Sequence, residues 1–169
     1  HLADLGTGSG ILAVSLALER PRARVLALDR SPAALALAGA NARRHGVADR
    51  VRPVASDWLS ALGRAARFDL VVANPPYVPL TDQPHLSKTV SEHEPGLALY
   101  GGPDGLDPLR VILAALPRFL EPGAPFVFEF GYSQANEVSA LVEAAPLFRL
   151  ERIRLDAAGI PRTATAIRT

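Results

Sequence analysis

The sequence contains no cysteine and no methionine in 169 residues. Without thiols there is no disulfide framework, no cysteine-ligated metal and no thiol nucleophile. The four histidines show no ligand spacing such as H-E-x-x-H, so no metal site is expected. No apolar run approaches the ~20 residues of a membrane span, and there is no signal-peptide pattern. These absences predict a cytoplasmic protein without membrane attachment. Neither sign of charge dominates: 18 basic and 17 acidic residues leave a net charge of +1. That excludes a global pull toward nucleic acid, and direct nucleic-acid binding is not expected. The clusters Arg43-Arg44 and Arg149, Arg152, Arg154 read as solvated helix and strand faces.

What is present is 49% apolar residues, enough for one sizeable core, and residues 1–169 are expected to form one domain. Apolar runs alternate with helical patterns, which argues for βαβ units and a parallel sheet. Strands are expected at 1–5, 24–29, 51–55, 68–73, 124–130, 147–155 and 163–168, and helices at 10–19, 32–45, 107–119 and 133–144. Ser31-Pro32 is a good helix start, with Ser as N-cap and Pro in the first turn. Gly46 is a plausible stop, and Pro122-Gly123 marks the turn before the fifth strand. Residues 74–104 hold six prolines and little periodicity. A long irregular segment inside a compact domain is usually functional; here it is expected to form a substrate wall. The chain opens at His1 with only about four residues before its first glycine turn, shorter than a typical strand, and reads as a fragment cut at the edge of the first strand.

Two motifs carry chemistry. Asn74-Pro75-Pro76-Tyr77 directly follows the apolar run 68–73. Two prolines cannot continue a sheet ladder, so the chain must leave the sheet in a stiff, extended turn. That puts a carboxamide, a proline carbonyl and an aromatic ring at the carboxyl end of a strand, where open α/β sheets bind ligands. The Asn74 side-chain oxygen and the Pro75 carbonyl are both acceptors. Together they can hold an –NH2 group by its two hydrogens. The second motif, Asp4-Leu5-Gly6-Thr7-Gly8-Ser9-Gly10, is a strand end and a glycine turn that open a helix. Its G-x-G-x-G spacing differs from the dinucleotide fingerprint. Asp29 ends the next apolar run, where a carboxylate can accept from both ribose hydroxyls. These features point to a nucleoside cofactor.

With these motifs the chain resembles the class I S-adenosylmethionine-dependent methyltransferases. More narrowly, it is similar to the HemK/PrmC family of protein-(glutamine-N5) methyltransferases, which modify peptide chain release factors. Asp4–Gly10 matches the cofactor loop, Asp29–Leu35 with Asn41-Ala42 the second strand tip and its helix, and Ser56–Leu59 the segment flanking adenine. Asn74–Val78 matches the catalytic motif. Glu94–Leu99, Asp104-Gly105-Leu106, Glu129-Phe130-Gly131 with Gln134, and Asp156–Arg162 follow in the family's order.

The resemblance implies an α/β, Rossmann-like class I methyltransferase fold: a seven-stranded, mostly parallel sheet with an antiparallel C-terminal strand and helices on both faces. It implies S-adenosyl-L-methionine as cofactor, bound by Asp4, Gly6, Thr7, Gly8, Gly10, Asp29, Asp57, Trp58 and Asn74. Catalysis would fall to Asn74, Pro75 and Tyr77, and substrate contact to Asn74, Pro75, Pro76, Tyr77 and Glu94. The partner implied is a release factor presenting a glutamine in a glycine-flanked loop, and a monomer is expected. Family members usually add a helical N-terminal domain that helps bind the release factor, and residues 1–169 are expected to correspond to the catalytic domain alone. Several assignments stay open. Asp57 either accepts from the adenine amino group or only shapes a loop, and Trp58 either covers the ring or packs in the core. Glu94 either meets substrate or stabilises its loop. Glu129 and Arg162 read as structural partners. Two other functions also remain: N-methylation of an adenine or guanine amino group in RNA or DNA, and a catalytically silent cofactor-binding fragment.

Overall fold

The computed structural model describes residues 1–85 and 99–169. Its seven strands are β1 (Leu2–Leu5), β2 (Val25–Asp29), β3 (Val51–Ala55), β4 (Leu70–Ala73), β5 (Pro125–Glu129), β6 (Phe148–Leu155) and β7 (Pro161–Arg168). The helices are α1 (Ile11–Glu19), α2 (Pro32–Arg44), α3 (Asp107–Ala115) and α4 (Ala135–Glu143). The strands form one sheet in the order β3-β2-β1-β4-β5-β7-β6. β1 to β5 are parallel, and β7 runs antiparallel between β5 and β6. No helix among the described residues is long and apolar enough to cross a membrane.

Each expected element is present; most ends are trimmed, the strand expected over 51–55 matches, and the one expected over 163–168 starts earlier, at Pro161. The helix expected over 107–119 ends at Ala115 and tightens into a 3-10 turn, Leu116–Arg118. Pro117 is the cause: it has no N–H, and its ring clashes with the carbonyl four residues back, so an α-helix cannot run through it. The strand expected from residue 68 starts at Leu70, while Phe68 makes an isolated bridge to Leu120.

Successive strand residues face opposite sides of the sheet. Val25 and Ala27 join Ala13, Val14, Ala17 and Ala42 of α1 and α2 in one apolar cluster. Leu28, with Leu5, Val71, Phe126 and Phe128, packs on the other side against Leu109 and Ile112 of α3 and Val138 and Val142 of α4. Helices therefore cover both faces, as a parallel sheet requires. The Phe126 and Phe128 rings stack with centroids 4.7 Å apart. Burial of each such side chain is worth about 1.5–3 kcal/mol, so the middle of the sheet is a rigid platform for the loops at its carboxyl edge.

Candidate active site

β1 lies where the strand order reverses. The chain builds outward through β2 and β3 on one side and through β4 and β5 on the other. The loops leaving β1 and β4 must part in opposite directions there, which opens a crevice at the carboxyl ends of the strands. The structure has a cleft at this place, about 1160 Å³ in volume. It is bordered by Gly6 and Gly8 after β1, Asp29 at the end of β2, Trp58 after β3, Asn74 after β4, and Tyr100 opposite.

The glycine turn is held from beneath. Asp4 is 1% exposed and Thr7 4%. The Thr7 hydroxyl donates to Asp4 Oδ2 at 2.6 Å, and the Ala13 amide donates to the same oxygen at 3.1 Å. Asp4 Oδ1 is buried and has no partner among the described residues. Burial pushes the Asp4 carboxyl up to about 6; the nearby Asp29 charge adds to the rise, and the Thr7 and Ala13 hydrogen bonds oppose it. Gly10 is the N-cap of α1 in the left-handed region, and the Asn41 carboxamide of α2 donates to the Ser9 carbonyl at 2.8 Å. Asp4, Thr7 and Gly10 thus shape the turn, while Gly6 and Gly8 border the cleft.

Asp29 spans the turn and the next helix. Its Oδ2 accepts from the Gly8 amide at 2.9 Å and its Oδ1 from the Ser31 amide at 2.8 Å. Each carboxylate oxygen has a second acceptor site, so two hydroxyls of a nucleoside can still be held. Trp58 packs in the core, as one of its two readings has it, and also borders the cleft. Its ring lies against Gly6, where a Cβ would stand 3.4 Å from it, and it also packs on the main core cluster. Its backbone φ of 49° is left-handed. For a bulky residue that is strained, a feature that clusters at binding sites. The Ser56 hydroxyl donates to the Trp58 carbonyl at 2.8 Å, which helps hold this turn.

Asn74 is exposed at the end of β4, and Pro75 behind it is buried. No described residue donates a hydrogen bond to the Asn74 side-chain oxygen or the Pro75 carbonyl. Among the described residues, both acceptors are left without a donor. Tyr77 is turned away from the cleft. Its hydroxyl donates to Glu129 Oε1 at 3.1 Å and accepts from Arg162 Nη2 at 3.0 Å. Burial raises the Tyr77 hydroxyl pKa above its ordinary value; the Arg162 guanidinium opposes this and the Glu129 charge adds to it. Of the other expected residues, Asp57 and Pro76 border the cleft. Glu94 lies outside the described residues.

Tyr100, Gly101, Gly102, Asp107 and Pro108 face the glycine turn across the cleft; the first three lie in the 74–104 segment expected to form a wall, whereas Asp107 and Pro108 were not foreseen. The signals were the Gly101-Gly102 pair and the Asp107-Pro108 helix start. Both mark local turns, and neither says which ligand-binding edge the turn faces.

Strand order, the glycine turn at the switch point and the acidic tip of β2 define a class I methyltransferase fold. The family described as methyltransferase small domain matches residues 1–91, and the chain belongs to that family. It is 45% identical over 154 residues to a release factor glutamine methyltransferase of Xylella fastidiosa, covering 91% of this chain and 55% of that protein. It is 46% identical over 167 residues to one of Moorella thermoacetica, covering 99% and 58%. The chain therefore spans somewhat more than half the length of these relatives. A methyltransferase structure from Pyrococcus furiosus superposes with a TM-score of 0.72 at 16% identity, covering 98% of this chain and 73% of that one, which shows the shared fold.

Proposed function

We propose that this chain transfers a methyl group from S-adenosylmethionine to the side-chain amide nitrogen of a glutamine in a peptide chain release factor. One observation carries the reading: Asn74, whose side-chain oxygen accepts from no described residue, borders a cleft that Asp29 and Gly8 also line; the carbonyl of Pro75, next in the chain, likewise accepts from none of the described residues. The similarity to release factor glutamine methyltransferases supports the substrate.

The residues fit the cofactor. Asp29 has acceptor sites left for ribose hydroxyls, and Trp58 offers an apolar face beside Gly6. Asp57 at the same end can accept from an adenine amino group. Bound there, S-adenosylmethionine supplies an electrophilic methyl group for a nitrogen nucleophile. An amide nitrogen is a weak nucleophile, because its lone pair is delocalised into the carbonyl. Asn74 and Pro75 accept its two hydrogens and aim it, converting an encounter into an aligned attack. Positive charge grows on those hydrogens as the nitrogen attacks. The two acceptors then bind the transition state more tightly than the ground state. No general base is needed before attack; once the N–C bond has formed, the surplus N–H proton is lost to water. Cytoplasmic action in translation termination, as a monomer, completes the reading, with residues 1–169 serving as the catalytic domain.

Mass spectrometry of a release factor incubated with the full-length enzyme and the cofactor tests it. The expected result is one methyl group on a glutamine, and a turnover lowered ~10²–10³-fold by Asn74→Ala. A methyl group found only on an adenine or guanine amino group of added RNA or DNA would reassign the substrate.

A further inference from the structure

Four separate stretches of the chain meet at Tyr77. Its ring lies under the Arg162 guanidinium, 5.3 Å from the ring centroid. Arg162 Nη2 donates both to the Tyr77 hydroxyl at 3.0 Å and to Glu129 Oε1 at 3.1 Å, and Nη1 donates to the Phe130 carbonyl at 3.1 Å. The main chain of Tyr77 is held as firmly. Gln134, 5% exposed, donates through Nε2 to the Tyr77 carbonyl and to the Asp104 carbonyl, each at 3.0 Å. Gln134 Oε1 accepts from the Gly131 amide at 2.7 Å. Gly105 lies so close that a Cβ would overlap the Tyr77 carbonyl and Gln134 Nε2.

This network is redundant for holding the strands together. β5 and β7 already pair at five positions, from Pro125↔Ile167 to Glu129↔Thr163. A partly buried ion pair adds little net stability. What Arg162 and Glu129 add is at Tyr77. Between Tyr77 and Asn74 stand two prolines, whose rings lock φ. Few soft torsions remain, so the position of Tyr77 is passed on to the Pro75 carbonyl and Asn74. β4 anchors one end of this short rod and Tyr77 the other.

We propose that Arg162 and Glu129 are positioning residues: by clamping the Tyr77 ring they set the orientation of the Asn74 and Pro75 acceptors, and so the rate of methyl transfer. This rests on the function proposed above for the acceptors. Arg162 suits the task because its planar fork can reach the Tyr77 hydroxyl, the Glu129 carboxylate and the Phe130 carbonyl at once, which a lysine ammonium cannot.

The test uses the full-length protein carrying Tyr77→Phe, Arg162→Ala, Arg162→Lys, or Tyr77→Phe with Arg162→Ala. Methyl transfer is scored on whichever amino acceptor the wild type methylates, so a wrong acceptor class sinks the proposed function without sparing this proposal its own test. Three quantities are measured: kcat, affinity for S-adenosylhomocysteine by calorimetry, and thermal unfolding. Arg162→Ala should lower kcat ~10²-fold, the scale of a small misplacement of reacting groups, and leave affinity within about twofold. Arg162→Lys should not restore kcat. The double variant should be no slower than the slower single one, because both changes open the same clamp. Tyr77→Phe removes only the hydroxyl and guards against a misfolded Arg162 variant. A near-normal kcat in Arg162→Ala and Tyr77→Phe would overturn the proposal. So would losses of kcat matched by equal losses of affinity, or losses that simply multiply in the double variant.

Discussion

Asp4 is a carboxylate at 1% exposure on a central strand, with one oxygen bound twice and the other without a described partner. Its carboxyl is raised from 3.8 to about 6, burial being the largest cause. Between those values the folded chain holds a proton that the unfolded chain has lost. Stability therefore falls as pH rises through that window and stays lowered above it. About two pKa units correspond to about 3 kcal/mol. Asp4→Asn cannot ionise but can still accept from Thr7 and Ala13. Urea unfolding of this variant should lose most of the decline that the wild type shows between about pH 4 and pH 6. An unchanged decline would mean that another group is responsible.

At the scale of elements, the decisive feature is the return of β7 between β5 and β6. It carries Arg162 to the carboxyl end of β5, beside Glu129 and the turn after β4. The stretch from Tyr100 to the start of α3 closes on the same turn. The Gly101 amide donates to the Val78 carbonyl at 2.9 Å and the Leu80 amide to the Gly102 carbonyl at 3.0 Å. Gly105, with φ of 80°, has no room for a side chain, whereas Gly123 has the same φ and open space around it. Replacing each with Ala separates the two costs. Both variants carry a left-handed Ala, worth about 1 kcal/mol or more. Gly105→Ala should cost about 1–3 kcal/mol beyond that as its neighbours are pushed aside, and should also slow methyl transfer. Chemical denaturation of the two variants measures the difference; equal losses would show that the close approach around Gly105 is unimportant.

Across the whole molecule the cleft joins two halves of the sheet. The glycine turn and Asp29 come from the β1-to-β3 half, and Asn74 with the far wall from the half that starts at β4. A ligand bridging both should stabilise the folded state as a unit. S-adenosylhomocysteine at a hundred times its Kd should add about 2.7 kcal/mol to unfolding stability, and NAD should add nothing measurable. Asp29→Ala should weaken binding by about 1.5–3 kcal/mol, the worth of hydrogen bonds to a charged group, and so reduce that gain at equal ligand concentration. Thermal unfolding with and without each ligand decides it. A shift with NAD and none with S-adenosylhomocysteine would overturn the cofactor assignment.

Much of this was legible in the amino acids because the signals are local. Alternating apolar runs mark strands, glycines at positive φ mark the turn after β1, and Asn74-Pro75-Pro76 must leave a sheet wherever it occurs. The helix expected over 107–119 overlooked one such local signal, Pro117, which ends it early. The partners of Tyr77 could not be read in this way. Glu129, Gln134 and Arg162 lie 52, 57 and 85 residues away along the chain, and a carboxylate, a carboxamide and a guanidinium are each compatible with an ordinary surface. Likewise, nothing local set Trp58 against both Gly6 and the core. The order in which strands pair is chosen by burial and crossover geometry across the whole sheet. Only that order brought β7 next to β5, and with it the charges that hold the ring behind the Asn74 turn.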